Sequence, residues 1–63
     1  MNASNKNSIK ILIADDHEVV RKGLKTILSE HSDLEVVAEA ENGNEVLKII
    51  QNTKVDLLLL DFD

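Results

Sequence analysis

Two almost wholly apolar runs, each leading into aspartate, constrain the fold of this chain more than any other feature. The first run covers 9–14 and leads into Asp15 and Asp16, and the second covers 55–60 and leads into Asp61. Near-continuous apolarity over so few residues is typical of a strand that is covered on both faces, as in a parallel sheet. The two runs therefore predict two buried strands that carry carboxylates at their carboxyl ends.

The segment after the first strand has the spacing of an amphipathic helix from His17 to about His31. One stripe of this helix is formed by Val20, Leu24, Ile27, Leu28 and His31. The basic residues lie outside this stripe and are expected to form a solvated face: Arg21, Lys22 and Lys25. Gly23 within the helix costs about 1 kcal/mol relative to alanine, which predicts that a neighbouring element approaches the helix closely at this residue.

The remaining segment predicts a third strand and a second helix. Residues 34–40 mix glutamates with apolar residues, which favours a strand at the edge of a sheet. Asn42 and Glu45 have the spacing of a capping box, so a helix is expected over about 43–51. The order strand-helix-strand-helix-strand with short connections predicts an α/β fold with a parallel sheet and right-handed crossovers.

The strand-terminal aspartates predict a site for a divalent cation and a phosphoryl group. In open α/β sheets the functional crevice lies at the carboxyl ends of the strands, where Asp15, Asp16 and Asp61 all belong. Carboxylate oxygens suit Mg²⁺, and a carboxylate attacks a phosphoryl group when a cation neutralises the transferring oxygens. Asp61 is the expected nucleophile and a ligand. Asp16 is expected to be a direct or water-mediated ligand, with Asp15 beside it.

Simpler roles remain open for several of these residues. A single strand-terminal aspartate commonly caps a helix or lies in solvent, and only the placement of aspartates on two strands favours a site. His17, near a helix start, is expected to be solvated or to cap the helix rather than to catalyse. Asp63 is equally suited to solvent, although its backbone carbonyl could reach a metal.

Composition argues against other classes of function. Acidic residues outnumber basic ones by 12 to 7, and the basic residues are scattered, which argues against binding of a nucleic-acid backbone by this segment. No cysteine is present, which excludes disulfides and thiolate metal sites. Residues 1–8 are polar and are predicted to be a disordered leader rather than a signal peptide. No run approaches the roughly 18 apolar residues of a membrane span, so a cytoplasmic location is expected.

Four motifs in chain order resemble the receiver domain of bacterial response regulators. They are ILIADDH at 11–17, VRKGL at 20–24, EAENGNE at 39–45 and DLLLLD at 56–61. The first two look most like the subfamily that joins a receiver to a C-terminal helix-turn-helix, as in nitrate-response and quorum-sensing regulators. The resemblance covers residues 9–63 and implies a partial receiver domain with a flavodoxin-like sheet.

The resemblance also implies roles for the aspartates. Asp61 would accept a phosphoryl group from a sensor histidine kinase, in a regulator that is not an enzyme. Mg²⁺ would be held by Asp15, Asp16, Asp61 and the backbone carbonyl of Asp63. The family carries a DNA-binding output domain, two further strands, three further helices, a phosphoryl-sensing Thr or Ser and a Lys, none of which has a counterpart here. In the family strand order, 2-1-3-4-5, the third strand would then be an exposed apolar edge, through which the chain is expected to self-associate.

Two other functions match parts of the pattern. The run Asp61-Phe62-Asp63 after an apolar strand is similar to the Asp-x-Asp signature of haloacid-dehalogenase-like phosphatases, in which the first aspartate is the nucleophile and the second a general acid. That signature usually lies on the first strand, and this alternative gives Asp15 and Asp16 no role. The other alternative is a non-catalytic half-domain that associates with itself or with a complementary half.

Overall fold

A computed structural model describes residues 8–62, which form a three-stranded parallel sheet and two helices. The elements are β1 Ile9–Asp15, α1 Glu18–Leu28, β2 Leu34–Ala40, α2 Gly43–Asn52 and β3 Leu57–Asp61. The strand order is β2-β1-β3, and both pairings are parallel. This is the order in which a flavodoxin-like sheet begins, so the predicted α/β architecture is confirmed.

The core lies on both sides of β1. One cluster between the sheet and α2 comprises Leu12, Ala14, Ala40 and Val46. Ile11 and Ile13 alternate with the β1 members of that cluster and are equally buried, because successive strand residues point to opposite faces. The central strand is therefore covered on both faces, as its apolar run predicts.

Helix α1 is shorter than the sequence pattern predicts. It begins at Glu18, after His17 in extended backbone, and ends at Leu28 rather than near His31. Beyond its end the chain turns, and the backbone N–H of His31 donates to the carbonyl of Leu28 at 3.1 Å. The prediction that a neighbouring element approaches Gly23 closely is wrong, since a Cβ placed there would meet nothing within 4 Å among the described residues.

Strand β3 lies slightly later in the chain than the predicted range 55–60. It begins at Leu57 and includes Asp61 as its last residue. The predicted burial of this strand is wrong for the described residues, because β3 pairs with β1 on one side only and four of its five residues are exposed. Asp56, just before the strand, is already attached to β1. Its backbone N–H donates to the carbonyl of Lys10 at 2.8 Å, and its carboxylate accepts from the Lys10 N–H at 3.0 Å.

Strand β2 lies at one edge of the described sheet, as its mixed polarity predicts. Its pairing with β1 shifts by one residue midway: Ile11 pairs with Val36, whereas Leu12 pairs with Ala38. Val37 is thus an extra residue on β2, in the manner of a β-bulge.

The predicted cap of α2 is confirmed, with one difference in the reciprocal bond. The side chain of Asn42 accepts from the backbone N–H of Glu45 at 2.9 Å. The Glu45 carboxylate accepts from the N–H of Glu41 at 2.8 Å, one residue earlier than the capping box predicts.

The sequence pattern places Ser8 in a disordered leader, yet the residue is buried and its hydroxyl donates to Glu35 at 3.0 Å. It therefore belongs to the folded part of the chain. The rest of the predicted leader, residues 1–7, and the predicted ligand Asp63 lie outside the described residues. Neither described helix has the length and apolarity that crossing a membrane requires.

Candidate functional site

Asp15 and Asp61 end neighbouring strands at the same edge of the sheet. They are direct partners in the pairing of β1 with β3, so their side chains project from the same face. Asp15 is only 1% exposed, whereas Asp61 is exposed. The sheet therefore places a buried carboxylate beside an accessible one, where the sequence predicts a site.

Asp16 and His17 complete an acidic cluster with Asp15. Nδ1 of His17 lies 3.1 Å from Oδ1 of Asp15 and 2.9 Å from Oδ1 of Asp16. The backbone N–H of His17 also donates to Oδ1 of Asp15 at 2.7 Å. One ligand atom from each of the three residues lies within 4.8 Å of the others. His17 is the N-cap residue of α1 and its side chain is exposed, as expected, although the imidazole makes no capping bond and lies against the two aspartates instead.

One oxygen of the buried Asp15 carboxylate has no hydrogen-bond donor in the described part of the chain, which indicates whether this cluster fits a cation. Oδ2 of Asp15 is inaccessible and accepts no hydrogen bond from residues 8–62. Leaving a buried acceptor unsatisfied costs about 1–3 kcal/mol, and more when the group is charged. Oxygens of Asp15 and Asp16 belong to this cluster, whereas Asp61 is not part of it and is paired with Asp15 only through the strands. Carboxylate oxygens are the ligands that Mg²⁺ prefers. The residues present therefore fit a hard divalent cation.

Arg21 belongs to this site, although the sequence pattern places it on a solvated face. Its side chain is 10% exposed, and Nη1 donates to the backbone carbonyl of Asp15 at 2.6 Å. Nε donates to Oε1 of Glu39 on β2 at 3.1 Å, and Nη2 lies 3.9 Å from Oε2 of Glu41. The predicted solvation of Arg21 is wrong because these acceptors lie beside the first turn of α1. The only feature of the sequence that could have indicated the burial of Arg21 is its position directly after Val20, at the border of the apolar stripe.

Glu39 is held ionised by the two basic residues that flank it. Nζ of Lys25 lies 2.7 Å from its Oε2, and Arg21 occupies its Oε1. The hydrogen bond from Lys25 lowers the pKa of Glu39 below its ordinary value of 4.5, partial burial opposes this, and the hydrogen bond from Arg21 adds to the lowering. Glu39 thus provides a fixed negative charge for Arg21.

Comparison with known proteins identifies relatives along most of the chain. Residues 11–63 match the family model of the response regulator receiver domain. An uncharacterized transcriptional regulatory protein of Bacillus subtilis (strain 168), YhcZ, is 55% identical over 53 residues, which are 84% of this chain and 25% of that protein. The response regulator protein VraR of Staphylococcus aureus (strain Mu3 / ATCC 700698) is 46% identical over 54 residues, 86% of this chain and 26% of that protein.

A third relative matches over a larger share of the chain. The transcriptional regulatory protein DegU of Brevibacillus brevis is 37% identical over 59 residues, 94% of this chain and 25% of that protein. The chain thus spans about a quarter of the length of these curated relatives. No solved structure matches it. All three names are those of regulatory proteins, which favours a receiver over the phosphatase alternative.

Proposed function

The chain belongs to the response regulator receiver domain family, and on this premise we propose that Asp61 accepts a phosphoryl group from a sensor histidine kinase. Receiver domains of two-component regulators interact with such kinases. The observation that carries the proposal is the direct pairing of Asp61 with Asp15 at the carboxyl edge of the sheet. This pairing leaves the Asp61 carboxylate accessible to a large phosphodonor while a second carboxylate stays buried beside it.

The transfer exchanges one bond to phosphorus for another. An oxygen of the ionised Asp61 carboxylate attacks the phosphorus, and an O–P bond forms as the P–N bond to the kinase histidine breaks. The histidine nitrogen keeps the electron pair of the broken bond and regains a proton from water. Because a carboxylate attacks in its ionised form, no general base is needed, and accessibility is the main requirement on Asp61.

We assign cation binding to Asp15, Asp16 and Asp61, with the backbone carbonyl of Asp63 as the further ligand that the family resemblance implies. Receiver domains generally bind Mg²⁺, which when bound neutralises charge on the transferring phosphoryl oxygens. Asp16 has a side chain that is 46% exposed and that lies 2.9 Å from Nδ1 of His17, so solvent and an ion can reach it. Asp15 is held in place by the His17 backbone N–H and supplies fixed negative charge.

A small phosphodonor tests the acceptor role directly. After incubation with acetyl phosphate and Mg²⁺, intact-mass measurement is expected to show one added phosphoryl group that hydroxylamine removes, and none in Asp61→Asn. Asp56→Asn is the matched control, because Asp56 lies at the opposite end of β3 and its carboxylate accepts from the Lys10 N–H. An unmodified wild type, or a phosphoryl group retained in Asp61→Asn, would refute the proposal.

In a longer protein this segment would regulate an output domain rather than bind DNA itself. Its formal net charge of −5 disfavours contact with a phosphate backbone. DNA binding would then belong to a separate domain, as the names of the transcriptional relatives suggest. A cytoplasmic location accords with this role.

A second proposal concerns β3, through which we propose that the chain self-associates. In the described part of the chain β3 pairs with β1 alone, and the helices pack mainly on β1 and β2. Three leucines of β3 are consequently exposed: Leu57 by 43%, Leu58 by 39% and Leu60 by 59%. An open strand edge with exposed apolar side chains favours pairing with a second copy.

Sedimentation velocity over a range of concentrations tests self-association. The wild type is expected to form dimers or larger species, and Leu60→Lys is expected to shift the distribution towards monomer, because a charge on an edge strand opposes pairing. Leu47→Lys is the matched control, since Leu47 is exposed by 57% but lies on α2. A wild type that stays monomeric at every concentration would contradict the proposal.

A further inference from the structure

The buried guanidinium of Arg21 binds the backbone of the acidic site itself. The bond from Nη1 to the carbonyl oxygen of Asp15 is 2.6 Å long and buried. That carbonyl and the N–H of Asp16 belong to one planar peptide group, so fixing the oxygen fixes the rotation of the plane. We propose that Arg21 is a positioning residue, which sets where the Asp16 carboxylate lies relative to Asp15. The inference rests on the proposed function, because it concerns the cation site that these two carboxylates form there.

Two further hydrogen bonds link the same short segment. The backbone N–H of His17 donates to Oδ1 of Asp15 at 2.7 Å, and the backbone N–H of Arg21 donates to the carbonyl of His17 at 3.1 Å. With the guanidinium bond, they tie the Asp15 side chain, the Asp15 carbonyl and the first turn of α1 together. Asp16 lies inside this bonded segment, so its backbone position depends on all three bonds.

Arg21 can support the acidic segment because β2 holds the other side of its guanidinium. Nε donates to Oε1 of Glu39 at 3.1 Å, and Lys25 binds the second Glu39 oxygen at 2.7 Å. A guanidinium is planar with its donors in fixed directions, so the bond at Nε orients Nη1 towards Asp15. A lysine at position 21 would carry a single ammonium and lack this two-sided geometry.

A merely structural ion pair would behave differently from a positioning residue. If Arg21 only joined α1 to β2, its removal would lower stability and leave the cation affinity of the folded chain unchanged. Lys25 offers the comparison, because it binds the same glutamate as Arg21 and makes no described contact with the acidic segment. Replacing Lys25 therefore weakens the ion pairs around Glu39 without removing a bond to the acidic segment.

Calorimetric titration with Mg²⁺ separates the two roles, at a temperature where circular dichroism shows each variant folded. Arg21→Gln and Arg21→Lys are expected to bind Mg²⁺ about tenfold more weakly or worse, as is usual when a partner that orients a metal ligand is lost. The Mg²⁺ affinity of Lys25→Met is expected to stay within about twofold of the wild-type affinity, a smaller change than the loss of an orienting partner causes. Amide signals of Asp16 and His17 in ¹H–¹⁵N spectra should move in Arg21→Gln and stay in place in Lys25→Met.

Each outcome decides between the alternatives. Equal Mg²⁺ affinity in wild type and the Arg21 variants would overturn the positioning role and leave the proposed function standing. Equal weakening in Lys25→Met and Arg21→Gln would also overturn it, since network stability would then explain the loss. A wild type that binds no Mg²⁺ would refute the proposed cation site and the inference together. If Arg21→Gln does not fold, Glu39→Gln decides, because it removes the charged anchor and keeps Arg21; unchanged affinity there would overturn the role.

Discussion

Glu39 lies between Lys25 and Arg21, with nitrogen–oxygen distances of 2.7 and 3.1 Å. Both contacts favour its charged form, so its pKa in the folded chain is below the ordinary value of 4.5. A group whose pKa is depressed by folding contributes stability above its unfolded pKa and loses it as the pH falls through the folded pKa. At the scale of single residues, this carboxylate is therefore a source of acid sensitivity.

We expect Glu39→Gln to weaken the pH dependence of unfolding. The variant should be less stable than wild type at neutral pH by about 1 kcal/mol, in the range of partly exposed ion pairs. The difference should shrink as the pH falls below 4.5, the ordinary value. Urea unfolding followed by circular dichroism measures both effects. Glu41→Gln is the control, because Glu41 is 67% exposed and 3.9 Å from Arg21. A constant difference at all pH values would contradict the prediction.

Single residues of the site differ in how far the sequence predicts them. The meeting of Asp15 and Asp61 follows from two apolar runs, since parallel strands end at the same sheet edge. The burial of Arg21 does not follow, because its acceptor Glu39 is 18 residues away and is brought near by strand register. Helical periodicity sorts residues only by polarity, so it assigns every arginine outside the stripe to solvent.

At the scale of elements, local signals predict starts better than ends. Helix α2 begins where Asn42 and Glu45 predict, because the capping bond joins residues three positions apart in the chain. Helix α1 has no comparable terminal signal, and it ends at Leu28 through turn hydrogen bonds that include His31. The expected close approach at Gly23 fails for a related reason, since it requires knowing which face of α1 the sheet covers.

We expect Gly23→Ala to stabilise the chain by about 0.5–1 kcal/mol, the usual gain for removing a glycine from a helix interior. Space allows the change, because a Cβ at this position would meet no described atom within 4 Å. Thermal unfolding followed by circular dichroism measures the gain. Gly43→Ala, at the first residue of α2 and with similar space, should give a smaller gain. If Gly23→Ala were less stable than wild type, the prediction would be wrong, because the added Cβ would then have to clash with another atom.

At the scale of the whole molecule, negative charge is concentrated at one edge of the sheet. Asp15 is paired with Asp61 there and lies beside Asp16, in a chain whose formal net charge is already −5. Neighbouring carboxylates repel one another, and a bound cation relieves that repulsion. The sequence predicts that the aspartates at the ends of β1 and β3 lie together, because their placement depends only on the strand order. The observed order is the predicted one.

Mg²⁺ is therefore expected to raise the melting temperature of the chain. A ligand that binds only the folded state stabilises it by about 2.7 kcal/mol at a hundred times its dissociation constant. Thermal melts with MgCl₂ should show a larger shift in wild type than in Asp16→Asn. NaCl at matched ionic strength is the control for screening. An identical melting temperature with either salt in a folded sample would count against the cation site.

The extra residue in β2 couples the length of one strand to the chemistry at the end of another. Glu35 and Glu39 are an even number of residues apart and would share a face in an uninterrupted strand. Because of the shift, the two glutamates lie on opposite faces of β2. Glu35 pairs with Lys10, whereas Glu39 binds Arg21. The neighbours of Glu39, Ala38 and Ala40, pack on the α2 side of the sheet. Regular pairing of the same residues without the shift would place Glu39 beneath α2 and Ala38 beneath the guanidinium, whereas deleting Val37 would remove the shift and leave both faces as they are. The extra residue therefore decides which face of β2 meets Arg21.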